Sequence, residues 1–482
     1  AYTFMLRFFR QNTLRNGILI GWAVTYLAAL IASWKVVPLP FPALLLFSLV
    51  STGLLLLPYL LDRWLNQKYS SWISTLVFPM AMVVMDFLAS KGGGGTWGNV
   101  AYLQFSNNYL MQLASVTGIW GISFMIYWFA SMVNYLYQRM MIKQAIKIPV
   151  TIYSLSLLLV MAFGFWRVAS NPVSEAPKIK MAAVTVENLS ILETVHACET
   201  GEIIDIPATA HQSDSKLARA MHSMESFVAY PNDPKFSPVY EKIDNIMTKL
   251  WESSQQAVQS GAQVIVWTEG IVNTFKSDES RYIQDAKDFA HQHSIWLFFP
   301  MATIIPGEIL PGQPFIENKV LSINPSGEIV NTYFKNIPVG GVEPCFPGDG
   351  TIPVIPTPGA NISPVICYDA DFPDLLQQVG HQATEILVVP SGDWHAISPI
   401  HSYMAVVRAI ENGVSILRPV SRGLTLAADT YGRIIAEDDY FEDDQHLLLA
   451  ELPVGKVTTL YSVIGDSFAY GCGAGVLLLI TL

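Results

Sequence analysis

Apolar residues in the first third of the chain form long continuous stretches that short polar segments separate. A helix needs about 20 mostly apolar residues to cross the hydrocarbon core of a bilayer, and five stretches meet that length. The pattern predicts membrane-spanning helices near residues 17–34, 40–61, 71–90, 116–137 and 148–166. Residues 1–170 are therefore predicted to form an N-terminal transmembrane domain.

From about residue 178 the pattern changes to short apolar runs that alternate with amphipathic helices. The short runs predict strands at 178–186, 262–267, 296–299, 319–323, 364–366 and 385–389. The helical spacing of apolar residues predicts helices at 238–260, 280–293 and 372–379. This alternation is typical of a layered α/β domain, which we assign to residues 171–458. Within it, residues 187–237 are predicted to be an irregular insertion, and the apolar residues 459–482 are predicted to form a last span.

Composition supports a division into a membrane part and a water-exposed part. The chain is 51% hydrophobic and only 14% charged, whereas soluble domains carry about 25% charged residues. Residues 1–170 have a net charge of +9, and the remainder has a net charge of −20. An acidic domain repels the phosphates of nucleic acid, so we expect no nucleic-acid partner. The four cysteines have no metal-binding spacing, and we expect no metal site.

The loops between the predicted spans indicate the orientation of the chain. Eight basic residues lie on one side of the membrane, whereas only Lys35 and Lys91 lie in the opposite loops. Basic loops remain in the cytoplasm, so the N-terminus is predicted to be inside and the acidic domain outside. The eight residues are Arg7, Arg10, Arg15, Arg63, Lys68, Arg139, Lys143 and Lys147.

Three predicted strands each end in a residue that can take part in covalent catalysis. Glu269 follows the strand at 262–267, Lys335 follows Asn331-Thr-Tyr-Phe, and Cys367 follows Ser363-Pro-Val-Ile. Strand ends converge on the site of a layered α/β domain. A carboxylate can take the proton of a thiol, and a lysine can stabilise the oxyanion that forms when a carbonyl is attacked. The helix that follows Cys367 is expected to lower the pKa of its thiol.

Taken alone, a glutamate at a strand end is more often a solvated cap, and a buried cysteine is more often a small core residue. The ordered trio resembles the Glu-Lys-Cys triad of the nitrilase, or carbon–nitrogen hydrolase, superfamily. Further stretches resemble its membrane-embedded branch, the apolipoprotein N-acyltransferases. They are Leu103–Phe105, Gly118–Phe124, Trp267–Glu269, Ile366–Tyr368, Gly392–Trp394, Arg408–Glu411, Leu417–Gly423, Thr459–Tyr461 and Gly465–Asp466.

The chain departs from the family's pattern at several positions. Thr268 stands where the family usually has proline, and Asp369 stands where it usually has glutamate. The stretch 335–343 also differs from the usual sequence between the lysine and the second glutamate. Five N-terminal spans are predicted where the family implies seven. Because both numbers are odd, the predicted orientation of the acidic domain is unaffected.

The resemblance implies an αββα nitrilase sandwich on the outer face of a bacterial cytoplasmic (inner) membrane. The implied reaction moves an acyl chain from a phospholipid to the N-terminal amine of a diacylglyceryl-cysteine lipoprotein, without a cofactor. Glu269 would be the general base, Cys367 the nucleophile that forms a thioester, and Lys335 the oxyanion stabiliser. Glu343 would position Lys335 or assist the proton transfers. The residues expected to contact substrate are Tyr368, Trp394 and Trp97.

Several alternatives stay open at this point. A membrane-tethered amidase with the same triad is the second candidate function, although a soluble amide requires no more than one anchoring span. Trp97 lies in the glycine-rich loop 91–115, which is a substrate gate or a plain connector. His395 and His401 flank Ser398 and could form a pair with a catalytic cysteine, but nothing else in the sequence supports this pair, and both are predicted to be loop histidines. Asp86 faces the interior of the helix bundle or lies at the membrane edge, because a carboxylate is costly in lipid.

The predicted orientation can be tested by labelling introduced cysteines from outside the cell. A probe near residue 200 should be labelled by a membrane-impermeant reagent, and a probe near residue 143 should be protected. Labelling of the probe near residue 143 alone would contradict the assigned orientation.

Overall fold

The structure is a computed structural model that describes residues 1–69, 71–170, 175–187, 190–206, 215–307, 312–442 and 446–481. The chain divides into two compact units. One unit comprises residues 1–171 with 459–482, and the other comprises residues 172–458.

The first unit is helical. Five of its helical segments are long and apolar enough to cross a membrane, namely Leu14–Ser33, Phe41–Lys68, Trp72–Ser90, Ile119–Met141 and Lys147–Ala169. The five predicted spans are confirmed as helices, whereas the first helix of the chain was not predicted. The helices are α1 (Tyr2–Gln11), α2 (Leu14–Ser33), α3 (Phe41–Leu55), α4 (Leu57–Lys68), α5 (Val77–Ser90), α6 (Asn108–Met111), α7 (Ala114–Thr117), α8 (Ile119–Met141) and α9 (Lys147–Ala169).

Paired polar side chains connect the helices of this unit. Arg10 of α1 donates two hydrogen bonds of 2.7 Å to the carboxylate of Asp62 in α4. Asp86 of α5 accepts hydrogen bonds from the Tyr127 hydroxyl at 2.9 Å and from the Asn99 amide at 3.3 Å. Burying an unpaired charge is costly, and these partners reduce that cost. Asp86 therefore faces the interior of the helix bundle, which was one of the two alternatives.

The second unit alternates helices with strands. Its helices are α10 (Leu192–Thr200), α11 (Ser215–Ala229), α12 (Ser237–Gln259), α13 (Glu279–His293), α14 (Pro373–His381) and α15 (Ile400–Asn412). Its first strands are β1 (Lys178–Val184), β2 (Val264–Trp267), β3 (Val272–Phe275), β4 (Trp296–Ile304), β5 (Ile316–Ile323), β6 (Ile329–Phe334), β7 (Ile355–Pro356) and β8 (Asn361–Pro364). The remaining strands are β9 (Ile386–Val388), β10 (Ser391–Gly392), β11 (Ser415–Arg418), β12 (Val420–Ser421), β13 (Leu424–Ala428), β14 (Ile434–Asp439) and β15 (Leu447–Pro453).

Two sheets form the centre of this unit. The seven-stranded sheet has the order β15-β1-β2-β4-β5-β6, with β3 beside β4, and the six-stranded sheet has the order β14-β13-β11-β9-β8-β7. The pairs β1–β2, β2–β4 and β8–β9 are parallel. Every residue of β2 is buried, as expected for a strand that is covered on both faces. Helices α12 and α13 contact the first sheet and α15 contacts the second, which confirms the predicted αββα sandwich.

The predicted irregularity of residues 187–237 is wrong over much of that segment. Helices α10 and α11 lie within it, and Val195 and Phe227 are buried in the apolar core that also includes α12 and β2. Polar residues on the exposed faces of these helices obscured their helical spacing in the sequence. Residues 188, 189 and 207–214 of the predicted insertion lie outside the described residues.

The last helices of the chain belong to the first unit and are α16 (Leu460–Ile464) and α17 (Ser467–Thr481). Asp466, between them, accepts hydrogen bonds from Trp120 Nε1 at 2.7 Å and the Tyr461 hydroxyl at 2.9 Å, and Lys91 Nζ lies 3.3 Å away. A side chain at Gly118 would lie 2.6 Å from the Tyr461 ring, so this approach requires glycine. The described α17 has 15 residues, and its crossing of a membrane stays a prediction.

The Asp466 contacts predict a measurable loss of stability in Tyr461→Phe. The substitution removes one buried hydrogen bond to a carboxylate, which is typically worth about 1.5–3 kcal/mol. The midpoint of thermal unfolding in detergent should therefore fall. Tyr470→Phe is the matched control, because Tyr470 is 64% exposed in the same segment. Equal midpoints for the two variants would show that the Tyr461 hydroxyl contributes nothing.

Candidate active site

The three residues predicted to form the triad lie just beyond strand ends, as the sequence indicated. Lys335 directly follows β6, Glu269 lies two residues after β2, and Cys367 lies three residues after β8. Lys335 Nζ lies 2.8 Å from Glu269 Oε1. Asn318 of β5 donates a side-chain hydrogen bond of 2.8 Å to the same oxygen, and its carbonyl accepts from the Lys335 amide at 2.9 Å. One residue of β5 thus aligns both members of the ion pair.

Glu343 is the second carboxylate at Lys335. Its carboxylate lies 2.7 Å from Lys335 Nζ and also accepts a hydrogen bond of 2.8 Å from the Val339 amide. Lys335 is fully buried. Burial disfavours its ammonium form, but Glu269 and Glu343 outweigh burial and hold the pKa of Lys335 well above its usual range. Lys335 is therefore a fixed positive charge.

The Gly392 peptide connects Cys367 to Glu269. Its amide donates a hydrogen bond of 3.0 Å to Glu269 Oε2, and its carbonyl oxygen lies 3.8 Å from Cys367 Sγ. Cys367 has a φ of +45°, a backbone conformation that costs a residue with a side chain about 1–3 kcal/mol. Nucleophiles of several enzyme classes lie on such sharp turns, because the turn directs the reactive atom outward from the strand.

The pKa predicted for Cys367 from the following helix is wrong in direction. Burial and the charge of Glu269 raise the pKa of the Cys367 thiol well above its ordinary value, although Lys335 and Arg418 oppose this shift. A helix end is a weaker influence than burial and a nearby carboxylate. Cys367 is consequently a neutral thiol at rest, and its reaction requires a base.

Asp369 organises the backbone on both sides of the site. Its carboxylate accepts hydrogen bonds from the Ile337 amide at 2.8 Å, the Ile366 amide at 3.1 Å and the Tyr333 hydroxyl at 2.7 Å. Burial raises the pKa of Asp369 to about 6. This carboxylate links the turn that carries Cys367 to the loop that follows β6. Asp369 thus holds these two segments together at a position where the family usually has glutamate.

A second charged cluster lies beside Cys367. His401 Nδ1 lies 2.7 Å from Asp393 Oδ1, and His401 Nε2 lies 3.2 Å from Asp371 Oδ1. Arg418 donates to both oxygens of Asp393, at 3.1 and 3.0 Å. All four side chains are buried. The prediction that His401 is a loop histidine is therefore wrong, since it lies in α15 with both ring nitrogens against carboxylates, whereas His395 is exposed.

Opposite charges stabilise this cluster, although Arg418 Nη2 also lies 2.9 Å from His401 Nδ1 and opposes the charge of the imidazolium. Burial disfavours the imidazolium, but Asp393 and Asp371 outweigh it and raise the pKa of His401 to about 9. Burial also disfavours the Asp393 carboxylate, but Arg418 and His401 hold the pKa of that carboxyl well below its usual range. With two carboxylates and two cations, the cluster is neutral near pH 7.

The cluster does not suit a metal ion. Single ligand atoms of Cys367, Asp393 and His401 lie within 4.8 Å of one another. However, the Arg418 guanidinium donates to both Asp393 oxygens, and a metal cation there would face this fixed positive charge. These three residues are better explained as parts of a hydrogen-bonded site.

Two of the residues expected to contact substrate flank the reactive groups. Tyr368 follows Cys367 directly, and Trp394 follows Asp393; both are half-buried. Burial, followed by the charge of Asp371, raises the pKa of the Tyr368 phenol. Trp97 is half-buried in the helical unit, and its contact with substrate stays a prediction.

The sequence interpretation missed Asn318, Gly392 and the cluster around His401. Gly392, Asp393 and Arg418 lay inside stretches that resembled the family, and that resemblance was the available signal. Their roles depend on contacts between residues that are far apart in the chain, such as Arg418 with Asp393, so spacing alone does not reveal them.

The chain matches two family models. Residues 1–132 match the N-terminal domain of apolipoprotein N-acyltransferases, and residues 230–461 match the carbon–nitrogen hydrolases. Together the matches cover the predicted spans up to α8 and most of the second unit.

Named relatives extend over most of the chain. The apolipoprotein N-acyltransferase of Geobacter metallireducens is 23% identical over 468 residues, which cover 89% of this chain and 78% of the relative. That of Shewanella oneidensis is 24% identical over 481 residues, covering 90% and 80%. An amidase of known structure from Nesterenkonia sp. is 16% identical, with a TM-score of 0.37, and covers 63% of this chain and 99% of the amidase. The likeness to the amidase is too distant to bear on the substrate.

The pKa of His401 predicts how stability depends on pH. Because its pKa is raised from 6.5 to about 9 in the folded protein, its contribution to stability is fully present below pH 6.5 and disappears as the pH rises through 9. In His401→Gln, the midpoint of thermal unfolding should therefore fall less steeply between pH 6.5 and about 9. His395→Gln, at an exposed position six residues earlier in the chain, should retain the wild-type slope. Identical slopes in all three proteins would contradict the protonated state assigned to His401.

Proposed function

We propose that this chain, which belongs to the apolipoprotein N-acyltransferase family, transfers an acyl chain from a phospholipid to the N-terminal amine of a diacylglyceryl-cysteine lipoprotein. The observation that carries this proposal is the contact of Lys335 with Glu269, joined to Cys367 through the Gly392 peptide. This arrangement supplies a base, a fixed cation and a nucleophile in one site, as acyl transfer through a covalent intermediate requires.

The chain is a multi-pass membrane protein with five helices able to span a bilayer. We propose that it lies in the bacterial cytoplasmic membrane, with residues 171–458 on the outer face and 459–482 as a further span. The distribution of basic loop residues supports this orientation. Both substrates are lipids anchored in a membrane, which explains why the catalytic unit is joined to a helical bundle.

In the first step, Glu269 takes the proton of the Cys367 thiol, and the sulfur attacks the ester carbonyl of the phospholipid. The raised pKa of Cys367 makes this base necessary. The carbonyl oxygen becomes an oxyanion, which Lys335 stabilises. Two of the three N–H bonds of the ammonium are used by Glu269 and Glu343 among the described residues, so the third is available to this oxygen.

Collapse of the tetrahedral intermediate breaks the ester bond. The leaving alkoxide takes the proton from Glu269 and departs as lysophospholipid, and the acyl chain remains on Cys367 as a thioester. Glu343 keeps Lys335 in place during this exchange, because its other contact is a backbone amide that does not take part in the chemistry.

In the second step, the lipoprotein amine attacks the thioester carbonyl. The amine must lose a proton to form the amide, and Glu269 accepts it. The second oxyanion again faces Lys335. When it collapses, the C–S bond breaks, the Cys367 thiolate takes the proton from Glu269, and the N-acylated lipoprotein leaves. Dividing the transfer in two means that the two lipid substrates occupy the site in turn.

The two-step reaction predicts a single burst of product in the absence of acceptor. Purified protein mixed with phospholipid alone should release about one equivalent of lysophospholipid and then stop, since the thioester has no amine to attack it. Addition of a diacylglyceryl-cysteine peptide should restart release. Continuous release without acceptor would instead indicate a hydrolase of the amidase type.

Substitutions in the triad are predicted to reduce the lysophospholipid burst to different extents. Cys367→Ala should abolish the burst, and Glu269→Gln should slow it by several decades. Lys335→Ala should slow it by about 10²–10³-fold, the usual effect of removing one oxyanion donor. Cys198→Ala is the matched control, because this cysteine lies in the same unit outside the site. A normal burst in Cys367→Ala would reject the assigned nucleophile.

A further inference from the structure

The neutral cluster of Asp371, Asp393, His401 and Arg418 is not used in the reaction described above. It nevertheless approaches the nucleophile, since ligand atoms of Cys367, Asp393 and His401 lie within 4.8 Å of one another. Its members come from four parts of the fold: the turn after Cys367, the segment after β10, helix α15 and strand β11. Four charged side chains buried together at this point require a reason, because each is costly to remove from water.

The backbone beside the cluster offers one reason. Asp393 follows Gly392, whose amide contacts Glu269 and whose carbonyl contacts Cys367. The Asp393 amide donates to the Ser421 carbonyl at 2.9 Å, and its side chain is held by Arg418 and by His401. The Gly392 peptide, which contacts both Glu269 and Cys367, is therefore held in position on its C-terminal side by Asp393.

The charge balance offers a second reason. Cys367 already faces the carboxylate of Glu269, which disfavours a thiolate, and is helped by Lys335. If His401 were neutral, the neighbouring cluster would carry a net charge of −1 and would disfavour the thiolate further. The carboxylates on both ring nitrogens keep the imidazolium charged and the cluster neutral.

We propose that His401 is a positioning residue for acyl transfer: its imidazolium holds Asp393, and with it the Gly392 peptide, and balances the carboxylates next to Cys367. The groups that face it are Asp371 from the turn after Cys367, Asp393 from the segment after β10, Arg418 from β11 and Cys367 itself. The effect on transfer rests on the proposed function, whereas the effect on the Cys367 thiol does not.

The proposal is tested by the rate at which iodoacetamide alkylates Cys367 near pH 7, where His401 is protonated, followed by mass spectrometry of the Cys367 peptide in the full-length protein. His401→Gln makes the cluster negative, so the thiolate fraction of Cys367 and the alkylation rate should fall. Asp371→Asn makes the cluster positive, so the alkylation rate should rise. The double variant restores neutrality and should return the rate close to that of the wild type.

A structural role alone would disturb all three variants in the same direction. Alkylation rates that all change in the same direction, or that all equal the wild-type rate, overturn the proposal. If His401→Gln does not fold, Asp371→Asn decides the question, because an alkylation rate that is unchanged or lowered in that variant also contradicts the proposal. His395→Gln is the matched control and should alkylate like the wild type.

The lysophospholipid burst provides the second measurement. In His401→Gln it should slow by about 10²-fold, the typical effect of a small misplacement of reacting groups. A burst at the wild-type rate would contradict the proposal that His401 positions the Gly392 peptide. If neither the wild type nor any variant shows a burst, but alkylation is slower in His401→Gln and faster in Asp371→Asn, the proposed acyl donor is contradicted and the role of His401 is supported.

Discussion

The buried ammonium of Lys335, held between the carboxylates of Glu269 and Glu343, is the interaction on which the rest of the site depends. Removing one partner of a buried ion pair typically costs about 3–5 kcal/mol, so each of the three requires the other two. Their elements are fixed by different means: Glu269 follows a fully buried parallel strand, and Glu343 is tied to the loop amide of Val339. The sandwich thus positions the charges before any substrate is present.

A second constraint acts on the proposed nucleophile. Cys367 is buried near a carboxylate, so its thiol is neutral at rest, and the proposed mechanism therefore assigns Glu269 as its base. The Gly392 peptide contacts both of these residues, and the Asp393 side chain that follows it is held by Arg418. The uncharged thiol of Cys367 therefore lies near two clusters of charged side chains, one around Lys335 and one around Asp393. This arrangement favours a reaction in which the proton leaves the sulfur only as the carbonyl is attacked.

Much of this could be predicted from the sequence, where the signal is local. The five apolar spans, the strands before Glu269 and Lys335, and helices α12 and α13 follow directly from hydrophobic periodicity. Helices α10 and α11 were missed because polar residues on their exposed faces obscured the helical spacing of their apolar residues. His401 was misassigned because its partners, Asp371 and Asp393, reach it only through the tertiary fold. The raised pKa of Cys367 reflects burial, which a strand-end position does not reveal.

The proposed function requires Cys367 to carry the acyl chain between two lipid substrates. Mass spectrometry of the protein after incubation with phospholipid and no acceptor detects this intermediate. We predict a mass increase of one acyl group that maps to the Cys367 peptide, is removed by hydroxylamine, persists in Cys198→Ala and disappears when acceptor is added. An unmodified Cys367 in protein that still transfers acyl chains to the acceptor would contradict the account.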